Sequence, residues 1–207
     1  MSIFFTRYSI PLILSQICIV LMLIQPHSSL WLAYDRELVN AGQLWRLMTA
    51  NLVHLGVWHT LLNLTSLWFI SLLFRPLISK RDWLWWFGIT YVSNIVAMHL
   101  WTPNIHHYVG MSGALYGLIA ACAMAELRLG VKISGLLLII VAIKIFAPHI
   151  LGIESEYDEW LGGKVLEESH VIGFVEGLIL GLLWPKSRFK APALGNTLGF
   201  TKKGQKD

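Results

Sequence analysis

The stretch HVIGFVEGLILG, residues 170–181, carries one histidine and three glycines at intervals of three, four and four residues. Positions three or four apart lie on one face of an α-helix, so these four residues form a single stripe. They are His170, Gly173, Gly177 and Gly181. Glycines in such a stripe let the backbone of a neighbouring helix approach closely. The pattern therefore predicts a tight helix–helix contact with a histidine at its end.

A matching stripe of small residues follows the serine in GMSGALYG, residues 110–117. Its members are Gly113, Gly117 and Ala121. Packing this stripe against the other would bring His170 over Ser112. The two stretches together predict that the helix after Ser112 pairs with the helix that begins near His170.

The composition is typical of a membrane protein. Of 207 residues, 56% are apolar and only 14% are charged, whereas soluble domains carry about 25% charged residues. The mean hydropathy is +0.61, and the pI is about 9.1. The basic residues are scattered in short loops, which fits the positive-inside rule better than nucleic-acid binding. The two cysteines lie in apolar segments and indicate no disulfide.

Six apolar segments approach the roughly 20 residues that a membrane-spanning helix needs. They lie near residues 8–25, 51–73, 83–101, 112–127, 131–150 and 169–184. We therefore predict an all-α membrane protein, a bundle of six transmembrane helices within a lipid bilayer. Residues 1–185 are predicted to form this core and residues 186–207 a basic cytoplasmic tail.

The distribution of charges predicts the orientation of the bundle. Six spans place both ends on one side, and that side carries most of the basic loop residues. These are Arg7, Arg75, Lys80, Arg81, Arg128, Lys132 and the basic residues after Trp184. The opposite side carries the acidic stretch of residues 154–168, which is a candidate lid. Both termini are therefore predicted to be cytoplasmic.

The fourth segment is short, about 24 Å at helical rise, because the irregular stretch TPNIHHYV precedes it. Its outer end should lie below the membrane surface, where irregular backbone is tolerated only beside protein or a water-filled cavity. We therefore expect Ser112 to lie at a helix N-terminus, at the bottom of a water-filled pocket.

Further polar residues gather at the depth of Ser112. His59 and Asn63 are four residues apart and share a helix face, as do Ser112 and Tyr116. His54 would point elsewhere, about 140° from His59 around a helix. Polar groups in hydrocarbon are costly unless they are partnered, so this accumulation predicts a functional site.

The residue types point to nucleophilic catalysis. A serine hydroxyl is a weak nucleophile until a base removes its proton, which a histidine can do. We predict a Ser112–His170 dyad, because Glu176 lies about 120° off the His170 face and cannot complete a triad. The predicted oxyanion donors are His59, Asn63 and the backbone N–H of Ser112. Tyr116 is expected to stack on the imidazole in place of the missing acid.

These residues also allow other interpretations. A GxSG motif alone in a membrane helix is usually a packing motif. A metal site would need a third ligand beside His59 and His170, and the candidates are His54, His106 and His107. No HExxH spacing is present, so neither a metal nor another cofactor is predicted.

Lys144 and Glu176 lie on the fifth and sixth segments, both about 18 Å from the cytoplasmic face by helical rise. A lone charge at that depth would be costly. We therefore predict a buried structural ion pair between them.

Three motifs in order resemble the rhomboid family of intramembrane serine proteases, over nearly the whole chain. They are HxxxN at 59–63, GxSG at 110–113 and HxxGxxxG at 170–177, and the pair Trp45-Arg46 also looks like the rhomboid first loop. The resemblance implies that Ser112 is the nucleophile and His170 the general base and acid. It also implies that His59 and Asn63 are the oxyanion donors and that Tyr116 stacks on the histidine.

Within that family the chain looks most like rhombosortases, a compact bacterial branch. The stretches that carry this likeness are residues 43–63 and 162–177. The likeness implies a bacterial inner-membrane enzyme whose site opens to the periplasm. Its substrates would be single-pass membrane proteins with a C-terminal GlyGly tail, which the enzyme removes. Ser169 departs from the usual alanine before the catalytic histidine, and His106 and His107 have no assigned role.

Two other classes of function stay open. One is a catalytically silent rhomboid-like protein that binds membrane helices, although such a protein has no chemical need for both Ser112 and His170. The other is a small carrier, for which internal repeats are typical, and none is found. Acyl transfer to an amine instead of water is also compatible with an acyl-enzyme.

Overall fold

The structure is a computed structural model that describes residues 3–74, 77, 79–151 and 158–189. The described chain is mostly helical. Its helices are α1 (Ile3–Leu23), α2 (His27–Leu32), α3 (Arg36–Asn40), α4 (Arg46–Thr49), α5 (Val57–Leu73), α6 (Lys80–Trp101), α7 (Ser112–Arg128), α8 (Lys132–Leu151), α9 (Asp158–Leu161) and α10 (Glu167–Leu183). Two short strands, β1 (Tyr34–Asp35) and β2 (His107–Tyr108), pair antiparallel.

Each of the six predicted apolar segments lies on a long helix, namely α1, α5, α6, α7, α8 and α10. The second segment differs from the prediction at its start, because α5 begins at Val57 and not at residue 51. Val53 and Gly56 both have extended backbone, so the chain between them cannot be helical. Most of the predicted basic tail (190–207), part of the predicted lid (154–157), Arg75 and the Arg7 side chain lie outside the described residues.

By length and apolar character, no single helix in the described ranges qualifies on its own as a membrane span. One bent pair, Arg46–Leu52 followed by Val57–Leu73 at 94°, qualifies when its two helices are taken together.

Helix α7 is surrounded by other helices and contacts α5, α6, α8 and α10. Its sequence suits this position, because alanine has a high helix propensity and a small side chain that lets neighbouring helices pack closely. Seven of its side chains are fully buried, with 0% exposure. They are Ala114, Leu118, Ala120, Ala121, Cys122, Ala123 and Ala125.

The two small-residue stripes pack together as predicted. A Cβ atom added at Gly173 would lie 1.9 Å from the Gly113 carbonyl oxygen, and one at Gly177 would lie 2.0 Å from that of Gly117. At Gly181 the added Cβ would lie 2.4 Å from the carbonyl oxygen of Ala121. Only glycine permits such backbone contact, so the stripes fix how α10 lies along α7.

Arg36 ties the first loop to the C-terminal end of α6, a contact that sequence reasoning missed. Its guanidinium donates to the carbonyl oxygens of His99 and Ile105 at 2.8 Å each. Longer bonds reach the carbonyl oxygens of Thr102 at 2.9 Å and Met98 at 3.3 Å. These carbonyls belong to the last helical turn and the loop after it, where fewer intrahelical donors are available. Arg36 therefore caps α6 and supports the β1–β2 pair beside it.

We expect Arg36→Met to destabilise the fold by about 2 kcal/mol, because it leaves several carbonyl groups without their charged donor. A change of this size should lower the unfolding temperature in detergent by about 5 °C. Arg36→Lys should recover only part of the loss, since an ammonium cannot span four acceptors as a guanidinium does. Unfolding of Arg36→Met at the wild-type temperature would contradict this role.

At the opposite end of the bundle, Asp82 ties the start of α6 to the segment after α10. Its carboxylate accepts from the Ser79 hydroxyl at 2.7 Å and from Arg188 Nε at 2.9 Å. Ser79 also caps α6 by accepting from the backbone N–H of Asp82. This anchor holds the described part of the predicted tail against the helices.

Among the residues that the structure describes, the predicted ion pair between Lys144 and Glu176 is not present. The Lys144 ammonium donates instead to the hydroxyl of Tyr116 on α7. Glu176 lies near Ser93 of α6, and its Oε2 is buried with no hydrogen-bond partner within the described ranges. Counting helical rise predicts the depth of each residue but not the direction in which its side chain points. The two side chains therefore meet different helices.

Candidate active site

Ser112 and His170 meet where α7 and α10 begin. Ser112 Oγ lies 2.8 Å from His170 Nε2, a normal hydrogen-bond distance. Ser112 is the first residue of α7, and His170 lies in the first turn of α10. The packed stripes hold these two helix starts side by side. When Nε2 accepts the serine proton, Nδ1 carries the other proton of the neutral ring.

Tyr116 lies against the imidazole, as the sequence predicts. The ring centroids of Tyr116 and His170 are 4.5 Å apart, and the ring planes meet at 44°. The contact is thus tilted and not a parallel stack. The Tyr116 hydroxyl accepts from the Lys144 ammonium on its other side.

His59 presents a free N–H group towards the backbone before Ser112. The backbone N–H of Leu55 donates to His59 Nδ1 at 3.3 Å, so the ring proton lies on Nε2. A Cβ atom added at Gly110 would lie 3.0 Å from that Nε2 and 2.8 Å from Cε1. Gly110 also has φ +106°, a conformation that side chains with a Cβ rarely adopt. Glycine at this position therefore lets His59 approach the GxSG segment.

Asn63 is buried one turn after His59, but its amide faces its own helix. Asn63 Nδ2 donates to the His59 carbonyl oxygen at 2.9 Å. Its Oδ1 is buried and has no hydrogen-bond partner in the part of the chain that the structure describes. The structure thus brings Asn63 next to His59 without aiming its N–H group at Ser112.

A cavity of about 420 Å³ lies beside Ser112, where the sequence predicts a pocket. Ser112 and His59 form part of its wall. The other lining residues come from the first loop, the start of α5, the strand β2 and the segment before α10. They are Gln25, Ser29, Ala33, His54, Leu55, His107, Tyr108, Val109, Lys164, Val165 and Leu166.

His54 contacts His59, contrary to the expectation that it points elsewhere. The two ring centroids are 5.2 Å apart, with an angle of 83° between the planes. The expectation applied helical geometry to residues 53–56, which are not helical. The carbonyl of His54 accepts from Gln25 at 3.1 Å, which anchors this loop. Both ring nitrogens of His54 are buried, with no hydrogen-bond partner among the described residues.

Asn94 of α6 is a site residue that sequence reasoning missed. Its side chain is fully buried, and its Nδ2 donates to the carbonyl oxygen of Ser169 at 2.8 Å. A Cβ atom added at Gly113 would lie 2.4 Å from Asn94 Oδ1. Asn94 therefore supports the residue before His170 and the residue after Ser112. The only available signal was one asparagine within an apolar run, which also suits an ordinary packing residue.

Tyr108 of β2 is a second residue that sequence reasoning missed. It lies near the hydroxyls of Ser112 and Ser169, and burial raises the pKa of its phenol above the usual value. The hydroxyl therefore stays protonated. The neighbouring His107 lies 3.4 Å from the Asp35 carboxylate, whereas the His106 side chain is exposed. Within the described ranges, no three potential metal ligands lie close enough together to hold an ion.

Comparison with known families agrees with the motifs and the geometry. The rhomboid domain family matches residues 41–187, from the end of α3 to the turn after α10. The matched range includes both Ser112 and His170. No match was found among curated proteins. The chain therefore belongs to the rhomboid family, whose members are integral membrane proteins and are generally serine proteases.

Proposed function

We propose that the protein is an intramembrane serine endopeptidase with Ser112 as nucleophile and His170 as general base and acid. The observation that carries this proposal is the 2.8 Å contact between Ser112 Oγ and His170 Nε2. These residues are 58 positions apart in sequence. A cavity beside the serine offers room for a substrate backbone.

The proposed reaction has two steps. His170 Nε2 takes the hydroxyl proton as Ser112 Oγ bonds to the substrate carbonyl carbon. The tetrahedral intermediate collapses, the C–N bond breaks, and His170 returns the proton to the departing amine. Water then attacks the acyl-enzyme while His170 takes one of its protons. The Oγ–C bond breaks, Ser112 regains a proton from His170, and the carboxylic acid product leaves.

The negatively charged oxygen of the tetrahedral intermediate needs hydrogen-bond donors that are already positioned before the reaction begins. His59 Nε2–H suits this role because Nδ1 is already occupied by the Leu55 N–H. The Ser112 backbone N–H is a second proposed donor, since N–H groups in a first helical turn have no intrahelical acceptor. Asn63 is the third, and its amide would have to leave the His59 carbonyl to reach the substrate.

We expect His59→Phe to lower kcat by about 100-fold, because the ring is kept and the oxyanion donor is lost. KM should change little, since the donor acts mainly on the transition state. The measurement is the initial rate of cleavage of a membrane reporter in proteoliposomes, with the unfolding temperature as the folding control. A kcat within about threefold of wild type would remove His59 from the oxyanion site.

We further propose that the enzyme belongs to the rhombosortase branch and removes C-terminal GlyGly tails from exported proteins. The support is the likeness of residues 43–63 and 162–177 to that branch. Both stretches contribute to the cavity wall, through His54 and Leu55 and through Lys164, Val165 and Leu166. Glycines near the cut would help a substrate helix unwind, because helix interiors tolerate glycine poorly. The site would open to the periplasm, with both termini cytoplasmic.

Matched reporters test the choice of substrate. One carries a soluble domain followed by a GlyGly tail, a single membrane helix and a basic end. The other differs only in having alanines in place of the glycines. We expect the glycine reporter to be cleaved about 10-fold faster or more, in a reaction that Ser112→Ala abolishes. Equal cleavage of both reporters would refute the tail preference while leaving the protease intact.

A further inference from the structure

Lys144 lies on an otherwise apolar part of α8. Its neighbours Ile139, Ile140 and Ile143 are 57%, 55% and 61% exposed, as suits a face that meets lipid. An ammonium in such surroundings is costly unless it has a partner. The partner here is Tyr116, whose hydroxyl accepts from Lys144 and whose ring centroid lies 5.2 Å from Nζ.

This contact continues into the catalytic pair. The Tyr116 ring lies 4.5 Å from the His170 ring, and His170 Nε2 lies 2.8 Å from Ser112 Oγ. In the part of the chain that the structure describes, no carboxylate is hydrogen-bonded to His170. The ring of Tyr116 packs against the imidazole and can set its orientation.

We propose that Lys144 is a positioning residue for the catalytic histidine. By holding the Tyr116 hydroxyl, Lys144 fixes the tyrosine ring and so fixes the imidazole at the angle that Ser112 requires. The orientation of the base is then controlled from α8 and not by a third acidic residue. This inference rests on the proposed Ser112–His170 protease and adds a residue to its supporting set.

A small misplacement of a catalytic group slows the reaction strongly. Loss of the Lys144–Tyr116 contact should therefore lower the rate of the chemical step. Lys144→Met removes the donor, and Tyr116→Phe removes the acceptor while keeping the ring. If the two residues act only through their mutual bond, the double variant should be no slower than the slower single variant. Residues that act separately would instead give multiplied losses.

The experiment compares Lys144→Met, Tyr116→Phe and the double variant by their rate of labelling with a fluorophosphonate and by kcat on a membrane reporter. We expect each single variant to be about 10-fold slower, with the double variant about as slow and KM unchanged. Lys144→Arg should recover most of the rate, because it also donates to a phenol. The matched control is Lys132→Met, which removes an exposed lysine from the same helix and should react as wild type does.

Multiplied losses in the double variant, or a Lys144→Met rate within about twofold of wild type, would overturn the inference while leaving the protease standing. A folded wild type that does not react would overturn the proposed function, and the inference with it. If Lys144→Met fails to fold, Tyr116→Phe decides the matter. The kcat of Tyr116→Phe should then be about 10-fold below that of wild type. A wild-type kcat in this variant would refute the role.

Discussion

Ser112→Ala is expected to lower the rate of reporter cleavage by about 10,000-fold, because it removes the atom that attacks the substrate. His170→Ala should cause a loss of similar size, since it removes the base that lies 2.8 Å from Ser112 Oγ. The double variant should be no slower than either single variant, because the two residues perform one step together. Rates are measured in proteoliposomes with a single-pass reporter.

The control for these variants is the stability of the protein, which should stay close to that of wild type. Both side chains are only partly buried, so their truncation leaves no large cavity in the core. Activity above about 10% of wild type in folded Ser112→Ala would show that another group is the nucleophile. Losses that multiply in the double variant would show that the two residues act in separate steps.

Gly177→Ala is expected to have the largest effect on the fold. The added Cβ would lie 2.0 Å from the Gly117 carbonyl oxygen and 2.9 Å from the Ala120 Cβ. Backbone atoms cannot rotate away from such a clash, so α10 would have to move away from α7. His170 lies seven residues before Gly177 on the same helix, so this movement would draw the base away from Ser112. We expect a loss of stability of about 3 kcal/mol and a loss of activity of about 100-fold.

Gly88→Ala is the matched control for this change. Gly88 also lies within a long helix, α6, but an added Cβ there would have no atom within 4 Å. Alanine should be neutral or slightly stabilising at that position, since it favours helix. Wild-type unfolding temperature and activity in Gly177→Ala would contradict the close packing of α7 and α10.

The pairing of α7 and α10 could be predicted from sequence because glycine stripes encode it directly. Small residues at helical spacing allow backbone contact, and the contact in turn places Ser112 beside His170. The sequence carries no comparable signal for Asn94, whose partner Ser169 is 75 residues away. The sequence likewise carries no signal for the contacts of Arg36, because its acceptors are backbone carbonyls that any residue type could supply.

Two expectations differ from the structure, each for its own geometric reason. The position of His54 was inferred from a helix that begins only at Val57, so the contact of its ring with His59 was missed. The partner of Lys144 was inferred from depth alone, although depth does not give the direction of a side chain. The acceptor in the structure is the hydroxyl of Tyr116 on α7.

The central claim is that His170 activates Ser112. It is tested most directly by reacting the purified, folded protein with a fluorophosphonate and mapping the modified residue by mass spectrometry. His170→Ala and heat-denatured wild type serve as controls. The account predicts a single adduct on Ser112 in wild type and none in either control. An adduct on another residue, or equal modification of Ser112 in His170→Ala, would contradict it.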